Sequence, residues 1–498
     1  MKIHKVVLLF LFILTLVIRL NFAFSTEYFS SDESFFILRQ VEHIQNTGVP
    51  LFSDDLSFGG RTFLFNPLYM YILAAISFVF PLFIVAKILP NVLIASLVFI
   101  MYYIVRNTTK SRKVAMFGSV VSTVIPILYV ETLNDISVYS LMIPLILVTL
   151  YFFIKIRDEE KYGNYCAGAI VILSLINPSV LILVFAFLLY YIFLKVEGLS
   201  LIDAEKEVII FGTIFVVFTQ FLIFREALMQ HGIFVIFQNI PIQLLSNFFM
   251  EFNLLAAIYQ IGIIPLLYGV YIVYRYLFRE KDFTIYFYIS FGFATAILLW
   301  FKLIEINLGL MFLGSILLLL FAQRFKLFLD FIHNSKFYKY DTIVLSIMLV
   351  SFLITSLLPA LALADNTLEN TFSEEEIEGF LWLKDNAKDN AVIMGSIEDG
   401  HLISYISQKR NVIDSHFFLI KDINQRYEDI KNLFTSFSQT ESLGILEKYQ
   451  ADYLILSKHG KERFGIERFG FYNRQCFDIV FKNEDMRIYE VLCEVGEI

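Results

Sequence analysis

The sequence predicts a polytopic α-helical membrane domain followed by a water-soluble α/β domain at the C-terminus. Of the 498 residues, 58% are hydrophobic, whereas soluble globular domains are about 45–50% apolar. The long apolar runs lie within residues 1–361, and residues 362–498 have the composition of an ordinary soluble domain. These two observations place the domain boundary near Pro359–Asp365.

Apolar runs predict about eleven transmembrane helices, since roughly 20 helical residues cross the hydrocarbon core of a bilayer. The predicted spans are residues 5–24, 84–105, 114–130, 138–154, 164–178, 179–194, 208–224, 253–274, 284–300, 303–322 and 341–361. The first run has no clear small-x-small cleavage site, so we expect an uncleaved first helix. One further apolar run, Asn66–Phe80, either crosses the membrane or lies in the outer leaflet.

The distribution of Lys and Arg decides between these alternatives, because cytoplasmic loops carry an excess of positive residues. If residues 66–80 do not cross, 18 basic residues fall on the cytoplasmic side and five on the outer side, namely Arg39, Arg61, Lys87, Arg225 and Lys302. A crossing would invert this bias from residue 81 onward. We therefore expect a plasma-membrane protein with a cytoplasmic N-terminus, a re-entrant or juxtamembrane segment at 66–80, and an extracytoplasmic C-terminal domain.

The outer loops carry few charges, so their acidic residues are the first candidates for chemistry. In the first outer loop, residues 25–83, Asp32 and Glu33 open an amphipathic helix that we expect to lie at the membrane interface. The other candidate acids on the outer side are Glu131, Asp135, Glu251 and Glu305. With the outer cations, this set could deprotonate a hydroxyl and bind a phosphate, or line an ion path.

Each of these groups also has a structural interpretation. Carboxylates at positions 32 and 33 suit the positive end of a helix dipole. The acids of residues 131–137 could belong to a solvated turn. Lys302 and Glu305 are three residues apart, a spacing that suits a salt bridge on one helical face.

The first outer loop resembles that of the GT-C superfamily, which includes protein O-mannosyltransferases and aminoarabinose transferases. The resemblance rests on Asp32-Glu33, a helix with Arg39 and Glu42, and the segment Asn66-Pro67-Leu68-Tyr69. In many relatives this last segment reads Lys-Pro-Pro-Leu. The lysine is absent here, and Arg61 or Lys87 would have to replace it.

The C-terminal domain is similar to the soluble domain of oligosaccharyltransferase catalytic subunits. The similar segments are residues 380–386, 391–403, 410–414, 445–449 and 452–456. Those enzymes carry Trp-Trp-Asp-Tyr-Gly, which binds the acceptor threonine or serine, where this chain has Ser396-Ile-Glu-Asp-Gly400. The missing aromatic residues disfavour asparagine glycosylation and favour another acceptor.

The resemblance implies an inverting glycosyltransferase that moves a sugar from a polyprenyl-phosphate donor to an acceptor hydroxyl at the outer face. A hydroxyl needs a carboxylate within hydrogen-bond reach as its base, and we expect Asp32 in that role, with Glu33 second. The departing phosphate needs cations; the candidates in order are Lys302, Arg225, Arg61 and Arg39. Supporting acids would be Glu131, Asp135, Glu251 and Glu305.

Metal dependence differs within the superfamily, since oligosaccharyltransferases use a divalent ion and the mannosyl- and aminoarabinosyltransferase relatives do not need one. We expect none here; if Mg²⁺ or Mn²⁺ is bound, the expected ligands are Asp32, Asp135 and Glu251. The expected partners are membrane lipid, the lipid-linked donor, and a lipid, glycan or protein acceptor. No basic stripe indicates nucleic acid.

Other functions stay open at this stage. One is oligosaccharyltransferase-like transfer to protein, and another is a lipid or solute transporter (flippase). Transporters usually contain internal repeats, and the sequence shows none. A non-catalytic scaffold would be favoured if Asp32 pointed away from any cavity.

The C-terminal domain is expected to contain strands near residues 391–395, 411–414, 452–456, 476–482 and 487–493. If the last two form a hairpin that turns at Glu484-Asp485, Cys476 lies opposite Cys493. The Cα atoms of such a pair are roughly 4.5 Å apart, which is close enough for a disulfide. An extracytoplasmic location permits that bond.

Overall fold

A computed structural model describes residues 2–249, 253–336 and 338–494, and most of them are helical. The helices before the C-terminal domain are α1 Lys2–Ala23, α2 Asp32–Thr47, α3 Leu68–Ser77, α4 Leu82–Ala95, α5 Leu97–Thr109, α6 Arg112–Ser122, α7 Pro126–Thr132, α8 Tyr139–Lys155, α9 Tyr162–Ile176, α10 Leu181–Val196, α11 Asp203–Ile223, α12 Arg225–His231, α13 Ile242–Phe248, α14 Leu254–Ile261, α15 Ile263–Phe278, α16 Phe283–Trp300, α17 Ile306–His333, α18 Asp341–Phe352 and α19 Leu358–Glu369.

The helical part is an integral membrane domain, as its composition predicts. Among the described residues, eight helical stretches are long and apolar enough to span a membrane, or up to ten if each of two bent pairs counts as one span. The shorter apolar helices α8 and α9 coincide with two further predicted spans. The stretch Arg225–Ser246, expected as an outer loop, also meets the length and composition criterion. The number of eleven crossings therefore stays a prediction.

The apolar run that decides the topology forms α3, a helix of ten residues. At 1.5 Å per residue this helix is about 15 Å long, about half the thickness of the hydrocarbon core. It packs between α2 and α4. Its length agrees with the predicted segment that does not cross.

The C-terminal domain is an α/β domain with all five expected strands. The hairpin in the first outer loop consists of β1 Ser53–Asp54 and β2 Arg61–Thr62, and the C-terminal sheet of β3 Val392–Met394, β4 Arg410–Asn411, β5 Tyr453–Leu456, β6 Phe477–Lys482 and β7 Arg487–Val491. The helices of this domain are α20 Glu374–Asn386, α21 Gly400–Leu402, α22 Ile423–Thr435, α23 Gln439–Tyr449 and α24 Lys458–Phe464. The strand order is β4-β3-β5-β7-β6, with β3 parallel to both of its neighbours. The predicted fold class is confirmed.

The predicted disulfide is present, because Cys476 and Cys493 are bonded with their Cα atoms 4.8 Å apart. The ladder differs from a regular hairpin by an irregularity between Ile479 and Phe481. It shifts the register by one residue, so that the Leu492 N–H donates to the Cys476 carbonyl. The regular hairpin count missed this shift, yet the bond forms because Cys493 is the next residue along.

The first outer loop packs on the C-terminal domain, and we call this contact the junction. The Phe58 N–H donates to the Asn411 carbonyl, and the Asn411 N–H donates to the Leu56 carbonyl, each over 2.8 Å. The loop therefore extends the sheet beyond β4. Helix α2 buries Phe35 and Phe36 in a hydrophobic core that also contains residues of the C-terminal domain. It is thus an interdomain helix rather than one lying free at the membrane interface, because its apolar stripe is covered by protein.

Candidate active site

Asp32, the expected base, lies at the junction and is only 7% exposed. Its Oδ1 accepts hydrogen bonds from the backbone N–H groups of His401 (2.9 Å) and Leu402 (3.2 Å). Its Oδ2 has no hydrogen-bond partner among the described residues and lies 4.0 Å from Nε2 of His401. Burial, and then the charges of Asp414 and Asp399, raise the pKa of Asp32 well above its usual range. The carboxylate is therefore fixed through one oxygen and free at the other.

Two histidines that the sequence did not predict as site residues lie beside Asp32. Nε2 of His401 is 2.9 Å from Nδ1 of His416, and that Nδ1 is 3.5 Å from Oε2 of Glu33. Burial lowers the pKa of His401 well below its usual value and that of His416 to about 4. Both imidazoles are therefore neutral at pH 7.

A topological signal could have found these histidines. They follow β3 and β4, which are parallel neighbours, and groups that follow the carboxyl ends of adjacent parallel strands often form binding sites. The sequence predicted both strands, but it did not predict that they are neighbours in the sheet.

Glu33 faces the same site from the first turn of α2. Withdrawal from water, and then the charges of Asp414 and Glu305, raise the pKa of Glu33 to about 8, although 48% of the side chain is exposed. A carboxyl group with such a pKa is largely protonated at neutral pH. Its accessibility and its position beside His416 make it a second functional candidate.

The supporting acids approach from the membrane domain. The Asn307 amide donates to Oε1 of Glu131 over 2.7 Å. Glu33, Glu131 and Glu305 all lie within electrostatic range of the Tyr139 hydroxyl. The predicted acids of the first loop, α7 and the start of α17 therefore lie together in one region. The hydrogen bond from Asn307 to Glu131 differs from the environment of a simple solvated turn.

Asp135 lies in the loop between α7 and α8, next to the start of α2. The Ser34 hydroxyl donates to its Oδ1 over 3.4 Å. Burial raises the pKa of Asp135 to about 6, against the lowering effect of hydrogen bonds from Ser31 and Ser34. Glu251, the remaining acid of the predicted set, lies outside the described residues.

The predicted cations separate into two groups. Arg39 binds the carboxylate of Asp54 with both terminal nitrogens, and Arg61 pairs with Asp414 at the junction. Lys302 and Arg225 are exposed and have no ion-pair partner in the described part of the chain. In particular, Lys302 does not pair with Glu305. The two first-ranked phosphate candidates are thus the ones that remain available.

Lys87, suggested as a replacement for the missing loop lysine, has a structural environment. Its side chain is 2% exposed. The ammonium donates to the carbonyls of Ala23, Thr26 and Tyr28 and to Oδ1 of Asn134, over 2.8–3.0 Å. Through these hydrogen bonds the ammonium of Lys87 holds the start of the first outer loop against the loop after α7.

Gly400 permits the close approach of the two segments that carry the histidines. A Cβ at this position would overlap the Ile413 carbonyl oxygen and the Cβ of Asp414. We therefore expect Gly400→Ala to lower the free energy of unfolding by about 1–3 kcal/mol, since overpacking in a close-packed core costs that much. Thermal unfolding of the purified protein measures the effect.

Gly168→Ala is the matched control, because a Cβ at Gly168 meets nothing within 4 Å. Its melting temperature should equal or slightly exceed that of the wild type, since Ala is favoured over Gly in a helix. Equal melting temperatures of the Gly400→Ala variant and the wild type would contradict the close approach described here.

Comparisons with known proteins identify the fold. No protein-family model and no curated protein matches the sequence. The structure is similar to the Archaeoglobus fulgidus oligosaccharyltransferase AglB in complex with an inhibitory peptide and a dolichol-phosphate, with a TM-score of 0.70 and 12% identity over 91% of this chain and 70% of that chain.

Two further structures are similar over nearly the whole chain. ArnT from Cupriavidus metallidurans, bound to undecaprenyl phosphate, gives a TM-score of 0.55 at 10% identity, over 99% of this chain and 98% of its own. The mycobacterial arabinofuranosyltransferase AftD gives 0.55 at 15% identity, over 97% of this chain and 40% of its own. All three are GT-C glycosyltransferases. At these identities the likeness shows the fold, and the predicted GT-C resemblance is confirmed.

Proposed function

We propose that this membrane protein with the GT-C fold is an inverting glycosyltransferase that moves a sugar from a polyprenyl-phosphate donor to an acceptor hydroxyl. The observation that carries the proposal is the Asp32 carboxylate, which is fixed through Oδ1 and unpartnered at Oδ2. It supports the proposal because a general base must be held in place with a free oxygen. In similar structures this fold is bound to dolichol-phosphate or undecaprenyl phosphate.

Asp32 Oδ2 would accept the proton of the acceptor hydroxyl as its oxygen attacks the anomeric carbon. The bond from that carbon to the phosphate oxygen breaks on the opposite face, and the electron pair leaves with the phosphate. One displacement of this kind inverts the anomeric centre, and it passes through an oxocarbenium-like state. Ionised Glu131 and Glu305 would favour the positive charge that develops on the sugar, whereas the largely protonated Glu33 would contribute no charge.

Lys302 is the proposed contact for the donor phosphate, with Arg225 second. Both side chains are exposed and unpaired within the described residues, whereas Arg39 and Arg61 already bind carboxylates. A free ammonium can make a charge-assisted hydrogen bond to a phosphate oxygen. Lys302 lies in the turn that follows α16, three residues before Glu305, so it lies on the side of the membrane domain from which the acids approach.

The acceptor is proposed to differ from the sequon of oligosaccharyltransferases. Ser396 and Asp399 are fully buried. The Asp399 carboxylate accepts hydrogen bonds from the Ser396 N–H and hydroxyl. The hydrogen bonds of residues 396–399 are therefore made within the segment, and the segment presents no aromatic surface to a peptide. This arrangement supports a lipid or glycan acceptor.

The proposed location is the plasma membrane, with the N-terminus in the cytoplasm and the C-terminal domain outside. The disulfide between Cys476 and Cys493 supports this orientation, because such bonds persist in oxidising compartments. The short helix α3 supports this orientation independently. If α3 does not cross the membrane, the excess of Lys and Arg falls in the cytoplasmic loops.

Transfer of radiolabelled sugar from polyprenyl-phosphate donors by the purified protein tests the function. Lys302→Met should raise the KM for the donor roughly 10- to 100-fold, the loss of one charge-assisted hydrogen bond of about 1.5–3 kcal/mol. Lys195→Met, at an exposed lysine of α10, should leave that KM unchanged. The ratio of the two KM values is the readout.

An unchanged donor KM in the Lys302→Met variant would remove Lys302 from the phosphate site. Failure of the wild-type protein to transfer sugar from any polyprenyl-phosphate donor would contradict the glycosyltransferase itself. Movement of labelled lipid across vesicles containing such an inactive protein would instead support a flippase.

A further inference from the structure

We propose that Glu33, His401 and His416 bind one divalent transition-metal ion of the Zn²⁺ class at the junction. The three side chains come from α2 and from the segments after β3 and β4. Metal binding by this set goes beyond the proposed function and does not depend on it. The ligand set also differs from the oxygen-only set Asp32, Asp135 and Glu251 that the sequence suggested.

The distances between the ligand atoms suit a single ion. One ligand atom from each residue lies within 4.8 Å of the others. The closest pair, Nε2 of His401 and Nδ1 of His416, is 2.9 Å apart. Two imidazole nitrogens on a tetrahedral Zn²⁺ are roughly 3.3 Å apart, given Zn–N bonds of about 2.0–2.1 Å. The pair therefore needs to open by about 0.4 Å, and the half-exposed Glu33 can turn toward it.

The packing around the histidines holds their rings in place. The Phe36 ring lies 5.1 Å from the His401 ring and 4.0 Å from the His416 ring, measured between centroids. Phe63 contacts His416 edge-on at 5.8 Å. Fixed rings present their nitrogens in a constant direction, so little conformational entropy is lost when an ion binds.

Asp32 gives an independent indication of a ligand. Its Oδ2 belongs to a residue that is 7% exposed, has no hydrogen-bond partner and lies 4.0 Å from Nε2 of His401. A buried carboxylate oxygen without a donor is costly, and an ion with a bound hydroxyl or water would satisfy it. Three protein ligands and one open position are the pattern of a catalytic zinc site.

The open position places the ion beside the proposed base. A hydroxyl bound there would have its proton directed toward Asp32 Oδ2 and would be a stronger acid than in water. This consequence rests on the proposed function, whereas the binding of the ion does not. Two imidazoles and one carboxylate favour Zn²⁺ over Mg²⁺, which prefers oxygen ligands.

Metal analysis of the full-length protein, stripped with a chelator and then dialysed against Zn²⁺, tests the site without any sugar substrate. We expect one Zn²⁺ per chain and a melting temperature several degrees higher, because a ligand that binds the folded state stabilises it. Mg²⁺ at the same concentration should leave the melting temperature unchanged. Asp32→Asn should retain the full zinc content, since Asp32 is not a ligand.

Two ligand variants and one control make the test specific. His416→Gln should lose the bound ion and the zinc-dependent rise in melting temperature. Glu33→Gln, at a side chain that is 48% exposed, should weaken zinc binding at least tenfold. His43→Gln, on the same helix α2 as Glu33, should bind zinc as the wild type does.

Absence of zinc from the dialysed wild type would overturn the proposal. So would full zinc content in both ligand variants, because the ion would then be held elsewhere. Loss of zinc in the Asp32→Asn variant would contradict the three-ligand assignment. A protein that binds zinc at this site but transfers no sugar would overturn the proposed function alone.

Discussion

Replacing Asp32 with Asn is expected to reduce sugar transfer by roughly 10²- to 10⁴-fold, the usual contribution of a general base. The physical reason is that an amide oxygen cannot accept the hydroxyl proton. The same oxygen can still accept the N–H groups of His401 and Leu402, which hold the carboxylate now. Initial rates at saturating donor, together with the melting temperature, separate the loss of the base from the loss of the fold.

Asp55→Asn is the matched control for that variant. Asp55 is an exposed acid of the same outer loop, and its replacement should change neither the rate nor the melting temperature. Equal rates of the Asp32→Asn variant and the wild type would remove Asp32 from catalysis. A low rate accompanied by a much lower melting temperature would show that its contacts with the C-terminal domain, rather than its basicity, matter.

Replacing Arg61 with Met is expected to lower the free energy of unfolding by about 3–5 kcal/mol, the cost of leaving one member of a buried ion pair alone. The side chains of Arg61 and Asp414 are 3% and 1% exposed. Burial acts to raise the pKa of Asp414, but the charge and hydrogen bond of Arg61, together with His401 and His416, hold the pKa well below its usual range. Chemical unfolding in detergent measures the loss.

The double variant Arg61→Met/Asp414→Asn should recover part of that stability, because it leaves no buried charge uncompensated. Lys206→Met breaks an exposed pair with Asp203, whose side chains are 50% and 92% exposed, and should cost less than about 1 kcal/mol. Similar losses from Arg61→Met and Lys206→Met would contradict the role of the buried pair at the junction.

These two pairs of experiments address the same structural feature. Asp32 and Arg61 belong to the first outer loop, and both bind groups of the C-terminal domain. The candidate active site is therefore built jointly by the loop and the domain. A change that separates them should impair both transfer and stability, whereas a change in base strength alone should impair transfer.

Much of the fold was predictable from the sequence because its signals are local. The hydropathy runs gave the helices of the membrane domain, and the short strands of the C-terminal domain appear where they were expected. The hairpin that pairs Cys476 with Cys493 was also predictable, since its two strands are consecutive. Asp32 and Glu33 were found because the Asp-Glu pair at the start of a helix in the first outer loop resembles the GT-C superfamily.

The partners of the charged residues were not predictable in the same way. The sequence made Lys87 a candidate for binding phosphate, but in the structure its ammonium donates to three backbone carbonyls and to Asn134. Arg61 ranked among the phosphate ligands, but it pairs with Asp414, 353 residues further along the chain. Charge and position in a loop identify a cation, but they do not identify its partner.

The sequence by itself determined that this is a membrane protein with an α/β domain at its end, and it identified the acids of the outer loops. The tertiary structure alone decided that Asp32 lies against His401, a contact across 369 residues. The physical reason is the range of the signals. Periodicity and hydropathy act over a few residues, whereas the site depends on strand pairing that aligns His401 with His416 and on a hydrophobic core that fixes α2 against the C-terminal domain.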